Sequence, residues 1–344
     1  MSTLTFKPKT ITKKFLAHLP ERARDVIVHR YGLLEDAERK TLEAIGEAYG
    51  ITRERVRQIE NAALLQVKKS DAFKSEDATF GELRQVIGEL GGIIAEEDLL
   101  THLAKDKLTQ NHINFFMVLH DAFTKHKEDD DFKHRWSVDS EITKKVHQSL
   151  KNLYESLSHD DLISEDDMIK RFLAHLTDVA DEYKKEEILR RWLSLSKTIG
   201  KNKLGEWGVS QSSNIHARGI KDYAYLVIRR HGKPMHFKEV AKQINQLFGK
   251  KAHVATCHNE LIKDKRFVLV GRGMYGLASW GHTGGVVRDV IRDVLKKEKR
   301  AMTKEEIIKA VLHERIVKEN TIAVNLQNTE FFKKNKDGSF SLVK

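Results

Sequence analysis

Arg53, Glu54, Arg57 and Gln58 lie in a segment whose apolar residues Val56, Ile59, Ala63 and Val67 recur at helical spacing. On a helix turning about 100° per residue the apolar four form a narrow stripe, and the polar four project from the opposite side at the N-terminal end. Arginine offers a forked pair of donors, glutamate only accepts, and glutamine does both. Side chains of these kinds match the edges that guanine, cytosine and adenine present in a major groove. A solvated charged face fits the same pattern, because such faces are common on surface helices.

Several local signals position these residues. Pro20 opens a helix that runs to Tyr31, with Val26, Ile27 and Arg30 at helical spacing. Thr41 is placed to cap a short helix, Leu42 to Tyr49, and Gly50 supplies a turn. Thr52 then caps a helix reaching about Lys68. Two short helices around a glycine turn make a helix-turn-helix, whose second helix meets base edges through its N-terminal residues.

The run TLEAIGEAYGITRERVRQIENAALLQVKK (Thr41 to Lys69), preceded by RARDVIVHRYGL (Arg22 to Leu33), resembles region 4 of the housekeeping sigma-factor family, over residues 10 to 70. The resemblance implies that Arg53, Glu54, Arg57 and Gln58 face the major groove of promoter DNA, with Arg55 near the backbone. It also implies docking on the flap of the RNA polymerase beta subunit through an apolar surface. The aromatic-rich region with which sigma factors melt promoter DNA has no counterpart in the sequence, so the chain is not expected to act as a complete sigma factor.

Beyond residue 72 an aromatic, a small residue and an aliphatic recur as Trp136-Ser137-Val138, Trp207-Gly208-Val209, Tyr275-Gly276-Leu277 and Phe340-Ser341-Leu342. The intervals are 71, 68 and 65 residues, the size of a small domain. Each triplet closes three helical patterns and a polar turn: His126 to His134, Gly200 to Gly205, Gly271-Arg272-Gly273 and Lys333 to Gly338. Three helices followed by a hairpin are a winged helix, with alternation turning the aromatic inward. The expected fold is mainly α with small β-wings, an N-terminal helix-turn-helix followed by tandem winged helices. The expected modules are 1–72, 73–140, 141–215, 216–282 and 283–344.

The fourth module is the clearest. Its helices run from about Gly219 to His231, Phe237 to Phe248 and Ala252 to Lys263, with strands at Pro234 to His236, Arg266 to Val270 and Met274 to Leu277. The runs PMHFKEVAKQI and RFVLVGRGMYGL resemble the HARE-HTH winged-helix family over residues 217 to 281, found also in the RNA polymerase delta subunit and beside restriction enzymes. That family is one of nucleic-acid-associated adaptors. Lys250, Lys251, Lys263, Lys265, Arg266 and Arg272 surround the third helix and wing, and His253, Thr256, His258 and Asn259 are candidates to face a groove. Of these, Lys251, Lys263 and Arg272 are the expected DNA contacts.

Charge separates the modules. In chain order they carry +4, −6, −1, +9 and +5 within a total of +11. Phosphate binding is expected at the two basic ends, whereas the acidic middle suits spacing or protein contact. The lone Cys257 cannot form an internal disulfide, and no spanning or signal-like apolar run appears, so a bacterial cytoplasmic, nucleoid-associated protein without membrane contact is expected.

Seventeen histidines are scattered, and His253, Cys257 and His258 are too few ligands for a closed zinc site, so neither metal nor cofactor is expected. Asp131-Phe132-Lys133 after Asp121 faintly echoes a nuclease motif, but the segment reads as helices with a polar wing; no catalytic residue is assigned and no enzyme is expected. A DNA-binding transcription regulator, or sigma-like polymerase accessory protein, is the reading these features favour. The alternative is an adaptor that occupies polymerase without reading bases.

Overall fold

Thr41 and Thr52 begin their helices as their chemistry requires: each side-chain oxygen accepts a hydrogen bond three residues on, from the amides of Ala44 and Arg55 at 3.1 and 3.2 Å. In the computed structural model, which describes residues 4–281 and 286–343, the first module comprises α1 (Pro8–Leu16), α2 (Glu21–Tyr31), α3 (Leu42–Tyr49) and α4 (Arg53–Lys69). Gly50 turns the chain with φ +63°.

The next module follows as α5 (Asp71–Lys74), α6 (Asp77–Glu89), β1 (Ile93–Ala95), α7 (Glu96–Leu103), α8 (Lys107–Leu119), β2 (Thr124–His126) and β3 (Arg135–Ser137). The third contains α9 (Ser140–Ser156), α10 (Glu165–His175), α11 (Glu186–Leu195), β4 (Ile199–Lys201) and β5 (Trp207–Val209). The fourth has α12 (Ile220–His231), β6 (Met235–His236), α13 (Phe237–Phe248), α14 (Val254–Lys263), β7 (Phe267–Gly271) and β8 (Met274–Leu277). The last has α15 (Val287–Glu298), α16 (Lys304–Glu314), α17 (Glu319–Leu326), β9 (Phe332–Lys334) and β10 (Phe340–Leu342).

The aromatic and the small residue of all four triplets lie in the closing strand of a hairpin, Val138 alone falling one residue beyond its strand. The sheet orders β1-β3-β2 and β6-β8-β7 are the same arrangement, with a short strand ahead of the second helix paired to the closing strand. In the other two modules a single bridge takes its place. The four pairs are Ile94 with Trp136, Ile163 with Trp207, Met235 with Tyr275, and Met302 with Phe340. Ile or Met just before the second helix is therefore a second repeated signal. It stands in the sequence as Ile94, Ile163, Met235 and Met302, each followed five residues later by an apolar pair such as Leu99-Leu100 or Ile307-Ile308.

The chain forms two compact units, Met1–Gly200 with Trp207–Ser210, and Lys201–Glu206 with Gln211–Lys344. Within the first unit the core does not stop at residue 72. Ile11, Phe15, Leu16, Ile27 and Val67 share one buried cluster with Phe80, Leu83, Phe115, Phe116 and Trp136. A polar clasp reinforces it: Asn111 donates to the carbonyls of Gly32 and Ala37 at 2.8 and 3.0 Å, and accepts from Arg39 Nε at 2.8 Å. The third helix α8, the groove-reading helix in a DNA-binding winged helix, is instead buried from Asn111 to Met117.

The third module docks its own third helix in the same unit. Trp192 of α11 is fully buried and its indole N–H donates to the Gly91 carbonyl at 3.1 Å. The wing between β2 and β3 is also consumed, since Lys133 N–H bonds the Leu195 carbonyl at 3.0 Å and Lys197 N–H the Asp131 carbonyl at 2.7 Å.

His112 of α8 is buried, with Nδ1 2.9 Å from the Thr12 hydroxyl, and burial lowers its imidazole from 6.5 to about 4. A base whose folded-state value is depressed stabilises the fold above its unfolded value and loses that contribution as pH falls. Stability of the first unit should therefore decline from pH 6.5 towards 4, by on the order of 3 kcal/mol from this group. Denaturant melts across that range check it; an unchanged midpoint would show that folding does not depress the His112 imidazole.

Candidate nucleic-acid interface

The apolar stripe of α4 behaves as its spacing requires. Val56, Ala63 and Val67 are buried and Ile59 is half-buried, Val56 packing with Val26, Leu42 and Ile45. The opposite face stays open, so Arg53, Glu54, Arg55, Arg57 and Gln58 are all exposed on one end of the helix. In the unbound chain they partner one another. Arg57 grips Glu54 with both prongs, Nε and Nη2 lying 2.8 and 2.7 Å from the two carboxylate oxygens. Arg55 donates to the Gln58 side-chain oxygen at 3.0 Å, and Arg53 reaches Glu43 of α3 at 3.0 Å. The hydrogen bonds from Arg57 hold the Glu54 carboxyl below its ordinary range, so it stays an acceptor at neutral pH. Exposed pairs of this kind exchange partners readily, because water and salt screen them.

The approach of α3 to the turn is very close. A Cβ on Gly46 would lie 2.6 Å from the Ile51 carbonyl oxygen, which is backbone and cannot swing away. Gly46→Ala, though favourable for helix propensity, is expected to destabilise the first unit by about 1–3 kcal/mol. Chemical denaturation measures it, and unchanged stability would mean that the turn relaxes freely.

The fourth module presents a different surface. Lys251, Lys263 and Arg272, with Lys250 and Lys265, are exposed and in no ion pair among the described residues. Arg266 is corrected by the structure: it ties Asp222 at 3.0 Å to Asp264 at 2.7 Å and lies over the Tyr225 ring, 5.2 Å from its centroid. It braces α12 against the start of β7, with Nε and Nη2 both engaged by carboxylates. His258 is corrected too, because its ring stacks on Phe237 at 4.2 Å and meets Tyr275 edge-on at 5.9 Å, turning it inward from α14. His253 at the N-cap of α14 and Thr256 and Asn259 on it remain exposed, as do Val254 and Ile262.

In the acidic modules the cations are mostly taken. Arg135, Lys151, Arg190 and Lys197 each pair with a carboxylate within 3.1 Å. The carboxylates of the nuclease-like motif are similarly engaged, Asp121 with Lys68 at 2.5 Å and Asp131 with Lys151 at 2.8 Å. Among the described residues no group of three or more potential metal ligands converges, and no helix is long and apolar enough to cross a membrane.

Residues 15–69 match the family model of sigma-70 region 4. A second match, to the HARE-HTH domain, the helix-turn-helix of ASXL proteins and restriction endonucleases, covers residues 218–280. Among relatives, the RNA polymerase sigma factor RpoS of Coxiella burnetii is 54% identical over 56 residues, 16% of each chain. The sigma factor SigA of a Nostoc species is 50% identical over 56 residues, 16% of this chain and 14% of its own. RpoD of Helicobacter pylori is 45% identical over 60 residues, 17% of this chain and 9% of its own. The chain thus spans less than a fifth of the length of these relatives, and the likeness is confined to the region-4 segment. That segment contains the whole exposed set Arg53, Glu54, Arg55, Arg57 and Gln58. The apolar surface of the region-4 segment is largely covered by α6 and α8, leaving Leu34 and Leu65 as its exposed large apolar residues.

Proposed function

We propose that this chain is a DNA-binding transcription regulator of the bacterial cytoplasm, or a sigma-like accessory of RNA polymerase. It reads promoter DNA with the N-terminal end of α4 and holds neighbouring duplex with its basic C-terminal winged helices. The observation that carries the reading is the open polar end of α4, where forked donors and acceptors stand free of the core within a region-4 match. Names of the matched relatives speak of polymerase, and a polymerase contact by this segment, the beta flap included, would fall on Leu34 and Leu65. No catalytic step, metal or cofactor enters the reading.

Arg57→Ala should weaken binding to a preferred duplex by roughly ten- to a hundredfold and relax base choice, because forked contacts carry discrimination. Binding measured on preferred and scrambled duplexes decides it. Equal weakening on both would move Arg57 from bases to phosphates. The adaptor reading draws on a different observation, the exposed Val254 and Ile262 on α14, which suit a protein surface as well as a groove. A chain that shifts no duplex at low salt yet is retained on immobilised polymerase would favour it.

A further inference from the structure

The fourth and fifth modules are joined at the wing. Ile316 N–H, in the segment between α16 and α17, donates to the Val270 carbonyl of β7 at 2.8 Å. The backbones are so close that a Cβ on Gly271 would lie 2.7 Å from the Ile316 carbonyl oxygen. This contact occupies the outer edge of β7 and puts two exposed cations on either side of it. Arg272 follows Gly271 at the wing tip, and Lys318 is the residue from which α17 starts. Neither takes part in an ion pair among the described residues. Residues hydrogen-bonded across strands have Cα atoms about 5 Å apart and each further residue adds at most about 3.8 Å, so the Cα atoms of Arg272 and Lys318, each two residues from the Val270 and Ile316 contact, are separated by no more than roughly 20 Å. That is about six base-pair steps of duplex, short enough for both to meet one stretch of backbone. In the acidic modules the third helices α8 and α11 are packed inside, whereas α14 exposes six of its ten residues and α17 four of its eight.

We propose that the wing of the fourth module and the start of α17 form one continuous phosphate-binding surface, with Lys318 acting beside Arg272 on the same duplex. The two C-terminal winged helices then grip DNA as a single body and need no separate docking of the fifth. The inference rests on the reading that the basic half binds duplex.

The test titrates the full chain against a random-sequence duplex at several salt concentrations. Each phosphate neutralised contributes about one to the log-log slope of affinity against salt. Arg272→Ala and Lys318→Ala should each lower the slope by about one, and the double variant by about two. Lys170→Ala, which removes a cation paired with Asp167 in the acidic half, should leave it unchanged. If Arg272→Ala lowers the slope and Lys318→Ala does not, the shared surface is wrong while duplex binding by the fourth module stands. An equal fall with Lys170→Ala would mean that the slope follows net charge alone, and would overturn the assignment. A flat parent response would overturn the duplex-binding reading itself.

Discussion

Raising salt from about 50 to about 200 mM is expected to weaken duplex binding by the Gln211–Lys344 segment by roughly a thousandfold, with little dependence on sequence. The two modules from residue 216 onward carry +9 and +5, and cations such as Lys251 just before the third helix, Lys263 at its end and Arg272 in the wing stand exposed without carboxylate partners among the described residues. Displaced counterions, and not base contacts, would then supply most of the affinity. The acidic middle should contribute almost nothing, since its cations already face carboxylates and its third helices are buried. Fluorescence anisotropy of residues 211–344 on random duplex measures the slope. A response flat in salt would assign these modules to protein partners.

Phe116→Ala is expected to cost about 3–5 kcal/mol, and to lower the helix-turn-helix and the winged helix behind it together. Phe116 is fully buried, and its ring lies 5.6 Å from Phe15 of α1, 6.2 Å from Phe6 and 6.3 Å from Phe80 of α6. The truncation would leave a hole that rings from both modules border, and such packing relaxes only in part. With Trp192, Trp207 and Trp280 replaced by Phe in the parent and variant alike, Trp136 fluorescence reports the winged helix and promoter binding reports α4, so denaturant titrations following both should shift in parallel. Loss of the Trp136 signal with promoter binding retained would show two cores that melt independently. The same core means that cutting at residue 72 exposes Phe80, Phe115 and Phe116 to water, so a fragment of residues 73–215 is a poor test of the acidic modules.

Much of this architecture is local and was legible. Thr41, Gly50 and Thr52 mark the helix-turn-helix because caps and positive-φ turns depend on a few neighbouring residues. The aromatic triplets mark the closing strands because alternation sets which side chain faces the core. The exposed set on α4 follows from angle alone, given the buried stripe of Val56, Ala63 and Val67. The roles of single polar residues were less accessible. In the sequence Arg266 stands among the basic residues around the third helix and wing and His258 among the groove-facing candidates, but the rings and carboxylates that claim them include Tyr225, Asp222 and Phe237, distant in the chain.

Amphipathic spacing establishes that α8, α11, α14 and α17 each bury a face; it does not say how much more of each helix is covered or by which element. Four copies of one fold therefore look alike along the chain. Only tertiary packing separates them, burying α8 against the helix-turn-helix and α11 against β1, and leaving α14 and α17 open. The physical reason is that contact between distant segments depends on the complementarity of whole surfaces, such as the meeting of Phe15, Phe80 and Phe116 or of Ile316 with Val270. Composition, by contrast, already placed the negative charge where those helices are consumed and the positive charge where they remain free.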